Sequence, residues 1–284
     1  MAQLSTDIIA TICRALEEDI RDGDVTAECT VPADMPLSGR FVAKAEGIVA
    51  GLAIAEQTFK LLDANAVFTP LVNDGDRIAN RQTLATVSGK CRALLSGERT
   101  ALNFLQRMSG IATAADRFVQ AIAAAGGKAR ILDTRKTAPG LRVLDKMAFK
   151  IGGGVNHRIG LFDMVMIKNN HIAACGGSIT KAVAAVRACD ARKRPIEVEV
   201  RDFAELDEAL ANTVDRIMLD NMSPDDMRKA VALVAGRTPL EASGNVTLDT
   251  VGAIAATGVD YISTGAVTHS VKALDISLWL DEAR

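Results

Sequence analysis

Beyond Gly110 the chain alternates short apolar, β-branched runs with longer helical stretches, and few folds can absorb that rhythm. Segments 130–133, 164–167, 196–200, 216–219, 240–242 and 261–263 read as strands, while 179–188, 203–210, 227–234 and 248–256 carry helical spacing. Repeated strand-helix units of this length imply parallel strands covered by helices, in either a (β/α) barrel or an open doubly wound sheet. The polar residues decide between the two. Asp133-Thr134-Arg135-Lys136, Lys168-Asn169-Asn170-His171, Glu199, Asp220-Asn221, Ser243-Gly244-Asn245 and Thr264-Gly265 each fall at a strand end. A barrel gathers all of them at one mouth, where barrel active sites are built, whereas an open sheet spreads them along an edge. The barrel is therefore expected.

The first third of the chain has a different pattern. Leu4, Ile8, Ile9, Ile12 and Leu16 form one apolar helical stripe that ends in the acidic turn Glu17 to Asp24. Short β-like pieces flank Glu46-Gly47, a helix is predicted over 52–62, and strands near Val67 and Leu84 are separated by Asn73-Asp74-Gly75-Asp76. This α+β stretch faintly resembles a lipoyl or biotinyl carrier module, but no lysine sits at a tight turn, so it reads as scaffold. A helical stretch over 94–125 is punctuated by Gly110 and Gly126, and a domain boundary is expected near Gly110.

Composition excludes several function classes. With 49% hydrophobic and 24% charged residues in 284, the chain can bury a sizeable core. A net charge of -2 provides no global basic field for nucleic acid or an anionic membrane surface, so any anion must be held by local clusters. The five cysteines are odd in number and lack a C-x-x-C pair, which argues against a disulfide framework or structural zinc and fits a reducing cytoplasm. No basic stretch precedes an apolar core at the N-terminus and no apolar run reaches membrane-spanning length, so neither export nor membrane insertion is expected.

Local clusters carry the chemistry. In Ile196-Glu197-Val198-Glu199-Val200 the two-residue period puts both glutamates on one face, pointing into the barrel if the valines meet the helices. They could form a structural ion-pair ring, or Glu199 could join Asp220 in holding a divalent metal carried in on substrate phosphates. Arg135, Lys136, Arg158 and Lys168 lie at segment ends, His157 adjoins Arg158, and Arg99 sits on a long helix. These cations exceed what the carboxylates need, which points to an anionic ligand. Arginine binds carboxylate or phosphate through two parallel hydrogen bonds, each worth about 1.5 to 3 kcal/mol in a partly dry site. Ser243-Gly244-Asn245 and Thr264-Gly265-Ala266 each follow a strand and precede a helix, an arrangement suited to phosphate. The histidines lack the spacing of a helical zinc pair.

At these residues the chain resembles the quinolinate phosphoribosyltransferases, from Asp19 to Ser270. The likeness is carried by Glu18-Asp19 with Gly23-Asp24, Gly97 to Asn103, Ser109 to Thr113, and Asp133 to Thr137 with Pro139 to Arg142. Further blocks are Gly152-Gly153-Gly154, Asn156-His157-Arg158, Ile167 to His171, Glu197 to Val200, Leu219-Asp220-Asn221 and Gly265 to Ser270. The chain departs from the pattern at Ala242, where a serine is expected, and at Asn245, often a glycine. The resemblance implies an α/β protein: an N-terminal α+β sandwich domain over 1–110, joined by the tail 271–284, and an open TIM-like α/β barrel over 111–270. It implies a homodimer, or a higher oligomer, in which Arg99 acts across the interface. Arg99, Arg135, His157, Arg158 and Lys168 would surround the carboxylates of quinolinate. Thr134, Lys136, Glu199, Asp220, Ser243, Gly244, Asn245, Thr264, Gly265 and Ala266 would serve phosphoribosyl pyrophosphate, with Mg2+ between its pyrophosphate and the acidic pair. Lys136, Glu199 and Asp220 would be the catalytic group.

Rivals remain. A paralogue of the same fold could serve molybdenum metabolism or take another pyridine carboxylate. A barrel aldolase could use Lys168 as a Schiff-base lysine. A non-catalytic protein could retain only the anion site.

Overall fold

A computed structural model describes residues 4–281, which group into two compact units. The first comprises the chain up to Asp116, the segment Ala138–Gly153 and the tail from Val271. Its sheet is antiparallel, in the order Ile276–Leu280, Pro36–Ala43, Thr83–Lys90, Val67–Pro70. The tail thus enters the sheet as an edge strand, with Phe41 opposite Leu278 and Ala43 opposite Ile276. Phe41, Leu84 and Ile276 from the sheet meet Phe59 of helix Leu52–Leu62 and Leu94 and Leu105 of helix Cys91–Ala124 in one core. Helix Thr6–Ile20 follows its sequence stripe: Ser5 caps it and Ile8, Ile12 and Leu16 are buried.

Two features differ from the sequence expectation. Helix Cys91–Ala124 runs unbroken through Gly110. The glycine serves a close approach instead, because a Cβ there would stand 2.3 Å from the Lys272 carbonyl oxygen. Helix Arg142–Ile151, which lies in sequence between the first two barrel strands, groups with the first unit. Its Asp145 is fully buried and takes both arms of Arg107 at 2.8 Å, an ion pair whose loss would leave a buried charge uncompensated.

The second unit comprises Arg117–Thr137 and Gly154–Ser270. Its strands Arg130–Leu132, Val165–Ile167, Ile196–Val200, Arg216–Asp220, Leu240–Ser243 and Tyr261–Ser263 are all parallel. In space the second to sixth strands follow one another in chain order, and the sixth pairs with the first. A doubly wound sheet reverses its order in the middle; this one runs round monotonically, as a barrel does. The ladder is left open between Arg130–Leu132 and Val165–Ile167, where Val155 adds only a single bridge to Leu132. That gap coincides with the one crossover whose helix belongs to the other unit. Val198, Ile217, Leu219 and Ile262 are fully buried, and helices 203–211, 224–234 and 248–255 bury Leu206, Ala230 and Val251.

Candidate active site

The C-terminal strand ends of the second unit enclose a cavity of about 730 Å3. Thr134, Arg135 and Lys136 line it after the first strand, Lys168 after the second, Glu199 from the third and Asp220 from the fourth. Ser243, Gly244 and Asn245 follow from the fifth strand, and Thr264, Gly265 and Ala266 from the sixth. His157 and Arg158 complete the set, so every site residue expected from the sequence except Arg99 borders this one space. Arg99 is exposed on helix Cys91–Ala124 of the first unit.

Local bonds explain how the cations are held. The Thr134 hydroxyl accepts the Lys136 amide at 3.0 Å, and the Thr268 hydroxyl donates to the Lys136 carbonyl at 2.8 Å. The Lys136 side chain crosses Gly265, where an added Cβ would stand 2.8 Å from its Cδ. Arg158 donates to the Met164 carbonyl at 3.3 Å, and its loop is closed by Asp163, which accepts the amides of Ile159 and Gly160. Burial lowers the Arg158 pKa and the nearby positive charge of Arg135 lowers it further, against the pull of Glu197 and Asp163. Lys168 Nζ lies 3.3 Å from Glu199 Oε2 with its side chain 45% exposed. A lysine so solvated and ion-paired lacks the dry pocket that Schiff-base chemistry requires.

Below these residues lies a buried charged floor that sequence reading largely missed. His157 Nε2 is 2.9 Å from Glu197 and 3.4 Å from Glu241, and Arg216 is 3.0 Å from Glu241 with its guanidinium over the Tyr261 ring. Both glutamates are fully buried. Burial alone pushes the imidazole pKa down, but the two carboxylates overcome this and hold it up at about 9. Burial raises Glu197 to about 7, against the opposing pull of His157. Charge counting asks for one proton within the group, since with a neutral ring and both glutamates ionised Arg216 would leave one negative charge uncompensated. The Arg158 amide donates to Nδ1 at 2.6 Å, so a second proton on the ring requires that amide to turn away, a cost set against the attraction of the two carboxylates. Both ring nitrogens therefore face protein groups. His157, Glu197 and Glu241 have donor atoms close enough to share a metal, and Arg216, 3.0 Å from Glu241 and 4.0 Å from Glu197, already supplies positive charge to the same carboxylates. The two-residue period back from Ser243 puts Glu241 on the cavity face, a signal the sequence did contain.

One of the two phosphate-type turns differs in detail from the expectation: Gly265 caps helix Ala266–His269 directly, but the turn at 243–245 does not lead straight into its helix. The helix after Asn245 begins only at Leu248 and is capped by its own Thr247, so the turn at Gly244-Asn245 offers loop backbone to the cavity. Ala242 is fully buried in the sheet between Leu219 and Ile262, so the serine missing there changes the core and leaves the cavity wall as it is.

The family model for the C-terminal domain of quinolinate phosphoribosyl transferase matches residues 111–279, and the model for its N-terminal domain matches 24–109. The chain belongs to the quinolinate phosphoribosyltransferase family. A tobacco (Nicotiana tabacum) quinolinate phosphoribosyltransferase [decarboxylating] is 49% identical over 97% of this chain and 83% of the relative. A probable nicotinate-nucleotide pyrophosphorylase [carboxylating] of Bacillus subtilis is 46% identical, covering 92% of this chain and 89% of its own length. Among solved structures, NadC from Streptococcus pyogenes superposes with a TM-score of 0.93 at 39% identity, covering 99% of both chains. Among the described residues, no helix of this family member is long and apolar enough to cross a membrane.

Proposed function

We propose that the chain transfers the phosphoribosyl group of phosphoribosyl pyrophosphate to quinolinate and releases CO2, giving nicotinate mononucleotide and pyrophosphate on a route to NAD. The names of its relatives, quinolinate phosphoribosyltransferase [decarboxylating] and nicotinate-nucleotide pyrophosphorylase [carboxylating], support this reaction over that of a paralogue serving molybdenum metabolism or another pyridine acid. The observation that carries the assignment of roles is the sharing of one cavity by Arg135, Lys136, Arg158 and Lys168 with Glu199 and Asp220.

Arg135, Arg158 and Lys168 grip the two carboxylates of quinolinate, and His157 supports them from the floor as a positive charge beneath the clamp. The partner subunit's Arg99 completes the clamp in a homodimer or larger assembly. Lys136, Thr134 and the turns Ser243-Gly244-Asn245 and Thr264-Gly265-Ala266 hold phosphoribosyl pyrophosphate. Glu199 and Asp220 offer hard oxygen ligands that suit Mg2+, directly or through water, and both border the cavity. When bound, the ion would neutralise charge on the pyrophosphate.

As the bond from C1 of the ribose to pyrophosphate breaks, the sugar gains oxocarbenium character, and Lys136 stabilises the departing oxygen. The clamp holds the ring nitrogen in line to form the new bond to C1, so positioning supplies most of the rate. The nitrogen is then cationic, and the electron pair left on the adjacent carbon when CO2 departs is stabilised by the ring itself until it takes a proton. No dedicated general base is required. The five cysteines are free thiols, which supports placement in a reducing cytoplasm. The direct test is carboxyl-labelled quinolinate mixed with enzyme, phosphoribosyl pyrophosphate and Mg2+. Labelled CO2 that appears only when all components are present is expected, and its absence would refute the reading.

A further inference from the structure

Asp220 and the turn at Ser243 to Asn245 come from neighbouring strands, and one side chain joins them. Asn221 follows Asp220 at the strand end with a left-handed backbone, φ 55°, a conformation asparagine tolerates better than most residues. Its amide accepts from the Asn245 side chain at 3.2 Å and stands 3.0 Å from Asp220 Oδ1. An ionised carboxylate only accepts, so the Asn221 atom facing Asp220 must be the amide nitrogen, which leaves the amide oxygen to receive Asn245. The backbone closes the same link, since the Asn221 amide donates to the Ser243 carbonyl at 2.9 Å. Gly244 is shaped to this amide: its φ is 104°, and a Cβ there would lie 2.1 Å from Asn221 Oδ1. Asn245 is itself left-handed, φ 50°.

We infer that Asn221 is a positioning residue that couples the acidic ligand Asp220 to the phosphate-binding turn 243–245, so that both halves of phosphoribosyl pyrophosphate meet a preset site. Its amide nitrogen holds one oxygen of Asp220 and leaves the other turned to the cavity, while its amide oxygen sets Asn245 and occupies the space that only glycine at 244 leaves open. Asn245, a departure from the family pattern, thereby supplies a link that glycine there could not make. The inference rests on the assignment of Asp220 and this turn to phosphoribosyl pyrophosphate.

The test is calorimetric binding of phosphoribosyl pyrophosphate with Mg2+, and separately of quinolinate, to the full-length chain. Asn221→Gly keeps the left-handed backbone and removes only the amide. It should weaken phosphoribosyl pyrophosphate about tenfold, with quinolinate binding within twofold of wild type. Asn245→Gly, exposed and equally suited to glycine, should weaken it about threefold, and should have no further effect in the Asn221→Gly background. Asp220→Ala should cost much less in that background than in the wild type, because Asn221 acts through Asp220. Independent, multiplying losses, an equal loss of quinolinate binding, or wild-type affinity in either glycine variant would overturn the coupling. If Asn221→Gly melts early, the exposed Asn245→Gly decides. Asp220→Ala in the wild type reports separately on the underlying assignment: undiminished phosphoribosyl pyrophosphate binding would remove that assignment and the positioning role with it.

Discussion

The cavity has two tiers of charge built from the same residue types under opposite conditions. On the floor, Glu197 and Glu241 are fully buried, and His157 and Arg216 neutralise them within the fold. On the rim, Arg135, Lys136, Arg158, Lys168 and Asp220 keep access to water and to a ligand. A buried charge must be balanced by the protein before any substrate arrives, so the floor contributes to folding. A solvated charge costs little to expose and can be balanced by substrate, so the rim contributes to binding. Each tier should therefore respond to substitution through a different quantity.

The largest effect belongs to the floor. Glu241→Ala leaves Arg216 and His157 facing a single carboxylate in a dry site and should cost about 3 to 5 kcal/mol of stability, read by urea unfolding. A loss below 1 kcal/mol would mean that the floor is solvated and the two-tier contrast false. The floor should also give stability an alkaline limb. His157 is raised to about 9, so its contribution is complete below about 6.5, where the unfolded ring is also protonated, and is lost as pH rises to about 9. Glu197, raised to about 7, acts below that range, because the native state keeps a proton that the unfolded chain releases above about 4.5, so its share of the stability is lost between about 4.5 and 7. Unfolding free energy should therefore fall by an amount on the order of 3 kcal/mol between pH 6.5 and 9.5. A flat profile over that range would show that the imidazole is neutral and that the Arg158 amide dominates at Nδ1.

How much of this the sequence revealed follows the same division. The rim was legible because its residues stand at strand ends, where a charged side chain interrupts an apolar run and cannot be explained as packing. Asp220 and Lys168 are visible for that reason, and the barrel was inferred from the same breaks. The floor was half legible: Glu197 shows in the alternation of Ile196 to Val200, but Arg216 opens its strand like a solvated flank and Glu241 passes for turn chemistry beside Ser243. Their partnership is a contact across three parallel strands, and no local period records which strands are neighbours. The crossover helix Arg142–Ile151 was hidden for a similar reason, because its amphipathic face is the same whichever unit it covers. Asn221 reads in the sequence as part of a motif, and only the fold shows that its amide spans two strand ends.

On the rim, Arg158→Ala should lower quinolinate affinity by about 2 to 4 kcal/mol through the loss of a two-armed carboxylate contact, while urea stability stays within about 1 kcal/mol of wild type. A variant that loses stability and keeps its affinity would place Arg158 with the floor.

The smallest expected change in stability gives the sharpest comparison, because it concerns an ion pair that on paper matches those below. Lys168 and Glu199 approach to 3.3 Å, close to the 3.4 Å between His157 and Glu241, but the lysine side chain is 45% exposed and that of His157 only 4%. Water already solvates the lysine and part of its partner, so Lys168→Met should change unfolding free energy by less than about 1 kcal/mol. In the proposed clamp the same substitution removes a cation that grips quinolinate, so calorimetric affinity for quinolinate should drop while the melting curve barely moves. If Lys168→Met instead unfolds the chain as readily as Glu241→Ala, exposure does not separate the two tiers, and the charges of this cavity form one structural network from floor to rim.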